Sequence, residues 1–486
     1  MVDFIVRAVD DILKSDFGLK EGLTDESKIQ LKIDHNPHET SKKHKAIQTK
    51  DVHRVQILDP ATGTGTFLTH IVKHIHKQFK NDQGGWQSYV DAHLIPRLNG
   101  FELLMASYAM AHLKLDMTLA DTGYTAPRTQ QNRFNIYLTN SLEEQHTDAG
   151  GLLAHYLAEE SRQASRIKDQ TPVMVVIGNP PYSGISSNNS EWISNLIDDY
   201  KYVEGVHFGE RKHWLNDDYV KFIRFGEHFI EKNGEGVLAF INPHGYLDNP
   251  TFRGMRWHLL QTFDKIYTID LHGNSKKKET APDGSVDQNV FDIMQGVSIN
   301  IFVKTGDKSK SELAKVFHHD VFGKRNDKYD FLLNNFIEDI SFVELKPQTG
   351  QYSFVPNDLL GLALYENYFC VNGLFLNSVT GTQTGNDSVL LAPDKNTLKQ
   401  QLVESFDCDV DDSSIKEICY RPFDNRVMYF IEGMNKNTHP LVRVPASYRS
   451  RFNVMRHLTV PDNHCLIVGR QGQVVGNMPW NLVFCS

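Results

Sequence analysis

Val55-Gln56-Ile57-Leu58-Asp59-Pro60-Ala61-Thr62-Gly63-Thr64-Gly65-Thr66-Phe67 is an apolar run that ends on an acid, passes two glycines among small residues and continues into a helix-like stretch. Glycines in such a turn let the backbone approach a nucleoside closely, and the helix start behind them offers amide groups without intrahelical partners. A lone Gly-x-Gly also serves turns that need only a positive φ. The acid at the strand end shifts the reading toward a ligand-holding turn. Outward from it, β-branched runs alternate with amphipathic stretches through residues 55–303, the pattern of a parallel sheet with helices on both faces. Strands are expected at 55–58, 98–101, 134–138, 173–177, 236–241, 265–271 and 297–303, and helices at 66–79, 103–116, 151–167, 217–231 and 252–262. The fold class is α/β, a seven-stranded, doubly wound, Rossmann-like sheet. Its last two strands have no helix between them and suit a terminal antiparallel, hairpin-like pair.

The flanks are less regular. Residues 24–53 mix Lys42, Lys43, Lys45 and Lys50 with acids and little apolar period, so residues 1–53 read as a helical and loop segment with a hinge before the first strand. Composition shifts again at Gly306-Asp307-Lys308-Ser309-Lys310-Ser311 and at Gln348-Thr349-Gly350-Gln351, and the parallel rhythm is lost beyond. The expected division is residues 1–345 and a mixed α/β region at 346–486. With 40% hydrophobic and 23% charged residues the chain is globular in composition. No apolar run is long enough to span a bilayer and the start lacks a signal-peptide pattern, so a cytoplasmic protein with no membrane partner is expected. Five cysteines, Cys370, Cys408, Cys419, Cys465 and Cys485, show no paired spacing and read as free thiols. A net charge of −9 is not that of a chain coated for nucleic acid, although basic residues can gather locally. After Glu432 the only acid is Asp462, against Lys436, Arg443, Arg449, Arg451, Arg456 and Arg470. Phosphate contact and a plain solvated surface stand equally open there.

Candidate site residues gather at the expected strand ends. The first turn contributes Asp59, Pro60, Ala61, Gly63, Gly65 and Phe67 as cofactor-binding candidates. The second strand ends on Glu102, which alone reads as a helix-start carboxylate and beside the first turn reads as the ligand of a ribose diol. The third is followed by Asn140 and Ser141, polar caps that suit either a helix start or the edge of a nucleobase. The fourth delivers Asn179-Pro180-Pro181-Tyr182, the catalytic candidates. Two prolines hold that backbone extended. An amine on an aromatic base is a poor nucleophile because its lone pair is delocalised. Asn179 Oδ1 and the Pro180 carbonyl can accept both amine hydrogens and localise that pair for attack on a sulfonium methyl, while Tyr182 stacks on a base taken out of its duplex. His70 and His74 stand one helical turn apart but lack a third ligand, so no metal site is expected.

At these residues the chain resembles the amino-group DNA methyltransferases, with the cofactor motif before the amine motif as in their gamma class. Asn rather than Ser at the head of the clamp is similar to adenine N6 enzymes. Further strings, Leu215-Asn216-Asp217-Asp218-Tyr219-Val220-Lys221-Phe222, Phe252-Arg253-Gly254-Met255-Arg256, Asp270-Leu271-His272-Gly273-Asn274, Gly381-Thr382-Gln383-Thr384-Gly385 and Tyr420-Arg421-Pro422-Phe423-Asp424, resemble type ISP restriction-modification enzymes. The resemblance implies S-adenosylmethionine as cofactor, double-stranded DNA as partner, a Rossmann-like methyltransferase domain and, after about 345, an incomplete target-recognition domain with Gln383, Arg421 and Arg426 as DNA contacts. It covers only the family's later portion. No Gly-x-x-x-x-Gly-Lys-Ser/Thr string is present, so nuclease and translocase parts are expected on other segments or subunits. Val2-Asp3-Phe4-Ile5-Val6 resembles the continuation of the family segment that walls the methionine end of the cofactor pocket. Alternatives are an RNA or protein-glutamine methyltransferase of the same fold and a catalytically silent DNA-recognition partner.

Overall fold

The computed structural model describes residues 1–34, 47–125, 133–144, 152–184, 186–209, 213–309, 311–347, 349–356, 364, 367–369, 387–406, 410–421, 424–430, 466–468 and 483–485. The chain divides into two compact units, Met1–Asn357 and Asp358–Ser486.

The first unit opens with helix α1 (Val2–Ser15), whose Phe4, Ile5, Ala8, Val9, Ile12 and Leu13 recur at helical spacing and are buried. Strands β1 (Lys28–Asp34) and β2 (Ile47–His53) pair antiparallel. This corrects the expected loop: Ile29, Leu31 and Ile33 alternate with polar residues, a strand period hidden by the charge around it. Next come β3 (Gln56–Asp59), α2 (Thr66–His76), α3 (Gln83–Tyr89), β4 (Leu98–Glu102), α4 (Met105–Asp121), β5 (Asn135–Leu138), α5 (Leu152–Gln170) and β6 (Val173–Gly178). After α6 (Glu191–Asp198) and a two-residue ribbon, β7 (Tyr202–Val203) with β8 (Val206–His207), follow α7 (Asp218–Asn233), β9 (Gly236–Pro243), α8 (Arg253–Thr262), β10 (Lys265–Asp270), β11 (Val297–Lys304), β12 (Lys315–Asp320), α9 (Arg325–Asn334) and β13 (Val343–Leu345).

Nine strands form one mixed sheet in the order β13-β12-β10-β11-β9-β6-β3-β4-β5. The seven expected strands are all in it, but the seven-stranded count is too low because β12 and β13 extend the β10 edge. β11 runs antiparallel to both β9 and β10 and lies between them, so the reversed pair is internal to the sheet and not terminal. The chain builds β3, β4 and β5 outward in one direction and then returns to place β6 against the other side of β3. That reversal opens the crevice at the strand carboxyl ends where such sheets bind ligands.

Alternation sorts the strands' side chains into two cores. Ile57, Val175, Ile177, Val237, Ala239 and Ile299 face the side covered by α1 and α2, while Leu58, Val176, Leu238, Phe240 and Phe302 face the side covered by α7 and α8. β6 and β9 are buried along their whole length, as a sheet covered on both faces requires. No described helix is long and apolar enough to cross a membrane.

In the second unit, α10 (Asp387–Leu390), β14 (Leu391–Ala392), α11 (Lys395–Phe406), β15 (Ile415–Arg421) and β16 (Asp424–Tyr429) surround Leu398, Leu402, Ile418 and Met428. The three strands form a small sheet in the order β14-β16-β15, and β17 (Leu466–Val468) pairs antiparallel with β18 (Val483–Cys485).

Candidate active site

β3 ends on Asp59, which is buried. Its Oδ1 accepts the Ala61 amide at 3.1 Å, and burial, with Glu102 nearby adding repulsion, pushes its carboxyl up to about 7 against that one hydrogen bond. The turn is stitched from several sides. Thr62 donates its hydroxyl to the Asp59 carbonyl at 3.0 Å and its amide to the Phe101 carbonyl at 3.0 Å, while Ser141 Oγ donates to the Pro60 carbonyl at 2.5 Å. Gly63 and Gly65 have φ of 56° and 78°. At Gly65 a side chain would also press on Ala111 at 3.3 Å, so conformation and contact both disfavour it.

Glu102 closes the turn from β4. One carboxylate oxygen accepts the Gly63 amide and the other the Leu104 amide, each at 2.7 Å. Two amides fix the carboxylate while each oxygen keeps a lone pair for another donor. That fits the ribose role proposed for it, and the Gly63–Gly65 cradle fits a nucleoside. Phe67, by contrast, is buried in the core on the α1 and α2 face.

The strand next to β3 brings the clamp. β6 ends on Gly178, where a Cβ would stand 2.8 Å from Asp59 Oδ1, so glycine lets the two strand ends approach. Asn179 and Pro181 are exposed and Pro180 is buried. The half-buried Tyr182 phenol donates toward Asn179 Oδ1 at 2.7 Å and toward the Ile241 carbonyl at 3.2 Å, and burial raises its pKa.

A polar network that sequence reasoning did not assign supports the loop behind the clamp. Ser183 donates its amide to Asp217 Oδ1 at 3.0 Å, and Asp218 Oδ1 accepts from Ser186 Oγ at 2.5 Å and Asn188 Nδ2 at 3.1 Å. Buried Lys221 donates to Ser186 Oγ, the Asn188 carbonyl and Asn189 Oδ1, and burial lowers its pKa. Asn140 Nδ2 reaches Asn188 Oδ1 at 3.0 Å, which ties the loop after β5 to the loop after β6. The string from Leu215 to Phe222 carried this signal only through its family resemblance.

The remaining candidates lie elsewhere. His70 Nδ1 meets Asp3 at 2.6 Å and His74 Nε2 meets Asp10 at 3.1 Å, so both join α2 to α1. Arg421 lies on β15. Arg426 is paired with Asp424 at 2.9 Å and covers the Tyr420 ring, which leaves it less available to a phosphate than a free guanidinium. Gln383 and the basic stretch after Glu432 lie outside the described residues.

Residues 100–276 match the family model of the Eco57I restriction-modification methylase. Among curated proteins no match is found. Among solved structures, the ATP-dependent type ISP restriction-modification enzyme LlaBIII bound to DNA is similar over 90% of this chain and 30% of its own, with 22% identity and a TM-score of 0.62. A nuclease-deletion mutant of the type ISP enzyme LlaGI with a DNA substrate mimic matches over 90% and 37%, at 22% identity and a TM-score of 0.62. The DrdV–DNA complex matches over 90% and 43%, at 23% identity and a TM-score of 0.59. The chain therefore spans less than half the length of each. By its matched stretch it is similar to the Eco57I restriction-modification methylases, and over most of its length it shares the fold of part of the type ISP restriction-modification enzymes.

Proposed function

We propose that the chain is a DNA methyltransferase of a restriction-modification system, which transfers a methyl group from S-adenosylmethionine to adenine N6 in duplex DNA. The observation that carries this reading is the exposed Asn179 of the Asn-Pro-Pro-Tyr clamp, one residue past the point where β6 comes against Asp59. Bound S-adenosylmethionine supplies a methyl group on a positively charged sulfur. Glu102 holds the ribose diol, and the Gly63–Gly65 turn lets the backbone lie against the nucleoside. When a flipped adenine arrives, the Tyr182 phenol gives up Asn179 Oδ1 and keeps the Ile241 carbonyl, and its half-buried ring stacks on the base. Asn179 Oδ1 and the Pro180 carbonyl then accept the two amine hydrogens and localise the lone pair. The unit Met1–Asn357 acts as the methyltransferase domain and Asp358–Ser486 as the target-recognition domain, with Arg421, Arg426 and Gln383 as its DNA contacts. Nuclease and translocase functions belong to other segments or subunits.

The test is incubation with labelled S-adenosylmethionine and duplex DNA, with RNA and protein acceptors in parallel. Label in N6-methyladenine that is lost in Asn179→Ala supports the proposal. Label confined to cytosine, RNA or protein overturns it.

A further inference from the structure

Three carboxylates gather at the carboxyl ends of β9, β10 and β12 with histidines as their partners. Asp270 faces His244 Nδ1 at 2.9 Å, Asp320 faces His272 Nε2 at 2.8 Å and His318 Nε2 at 3.0 Å, and Glu279 approaches both His244 and His272. Among the described residues, the ion-pair partners of these acids are histidines, not lysines or arginines. The cluster of Glu227, Glu231 and His258 is different, since the Arg224 guanidinium reaches Glu231 at 3.0 Å and Glu227 at 3.5 Å and supplies its positive charge.

We infer that His244, His272 and Glu279 form a binding site for a divalent cation of the zinc class. His244 Nε2 lies 3.8 Å from Glu279 Oε1, and His272 Nδ1 lies 4.0 Å from Glu279 Oε2. The three ligand atoms fall within 4.8 Å of one another. Bonds of about 2.0–2.2 Å to a common ion draw them closer by about an ångström, within the reach of side-chain rotation. The opposite nitrogen of each imidazole is bonded to a carboxylate, Asp270 for His244 and Asp320 for His272, the arrangement that orients metal-binding histidines and raises their basicity. The Asn274 side-chain amide nitrogen stands 3.3 Å from His244 Nε2, and the ion displaces it from that nitrogen. The histidines are held in place: at Gly296 a Cβ would lie 2.4 Å from the His244 ring, which packs against that backbone, and His272 is held at φ 48° against Phe322. Two imidazoles and one carboxylate with a position left open are a zinc donor set. Such an ion joins the end of β9 to the loop after β10. This inference does not depend on the methyl-transfer reading.

The test uses the full chain, stripped with chelator and titrated with zinc or cobalt, with retained metal counted after gel filtration. One equivalent per chain, visible cobalt bands of nitrogen and oxygen ligation, and a zinc-dependent rise in melting temperature are expected. Glu279→Gln, a half-buried and nearly isosteric change, should weaken binding at least tenfold and abolish the rise. Asp320→Asn should weaken it by about tenfold through the orientation of His272. His244→Ala is included with circular dichroism to confirm folding. Failure of the wild type to retain metal, or equal affinity in folded Glu279→Gln, overturns the site.

Discussion

Asn179 presents its amide oxygen to Tyr182, and in the proposed methyl transfer the same oxygen accepts a hydrogen of the base's amine. Asn179→Ala should lower the rate of methyl transfer by about 10²–10³-fold, the usual loss when one positioned hydrogen-bond group is removed, and leave cofactor affinity within a fewfold. Single-turnover kinetics and equilibrium binding measure the two separately. Asp59 makes a second prediction. Its pKa rises from 3.8 unfolded to about 7 folded, so between these values the folded chain holds a proton that the unfolded chain has released. Stability should therefore fall as pH rises from 4 to 7, by up to roughly 1.4 kcal/mol per unit, and level off above. Denaturation of Asp59→Asn across that range should lack this component. Both residues were legible in the sequence because each ends an apolar run and begins a turn of unusual composition. Lys221 was not, because its acceptors lie 32 to 35 positions away and the types involved, Ser, Asn and Asp, look like ordinary loop.

Among the elements, the strands most plainly legible are those buried on both faces, where unbroken apolar runs such as 173–177 leave little other reading, while β5 at the sheet edge is only half-buried. β12 escaped because its six residues include two histidines, a lysine and an aspartate, and β13 because it has three residues. Pairing with a neighbour makes them strands more than their own composition does. α2 begins at Gly65 in the left-handed region, against Ala111. Gly65→Ala should cost at least about 1–2 kcal/mol from the backbone alone, seen as a shift in the denaturation midpoint. At the start of α7, Lys221→Met leaves three acceptors without their donor and should cost at least about 1–3 kcal/mol. Because those acceptors shape the loop behind the clamp, turnover should fall further than cofactor affinity, and Lys221→Arg should restore part of it.

Across the molecule the two units have separate cores, and residues beyond 345 up to Asn357 group with the first. A chain ending at Asn357 should fold cooperatively and bind S-adenosylmethionine with unchanged affinity, while its affinity for duplex DNA falls at least tenfold if the second unit reads the target. Calorimetry and fluorescence anisotropy test this. The interleaving of β11 also governs assembly in time. β9 and β10 emerge from the ribosome with their facing edges bare, because the strand that bridges them follows only after residues 271–296. Until then a nascent chain leaves one edge of β9 and both edges of β10 unpaired, since β12 also follows, and such edges are templates for pairing with a neighbouring copy. Chains stopped before Val297 should therefore sediment as aggregates, and those that continue past Leu345, with β12 and β13 in place, should remain dispersed.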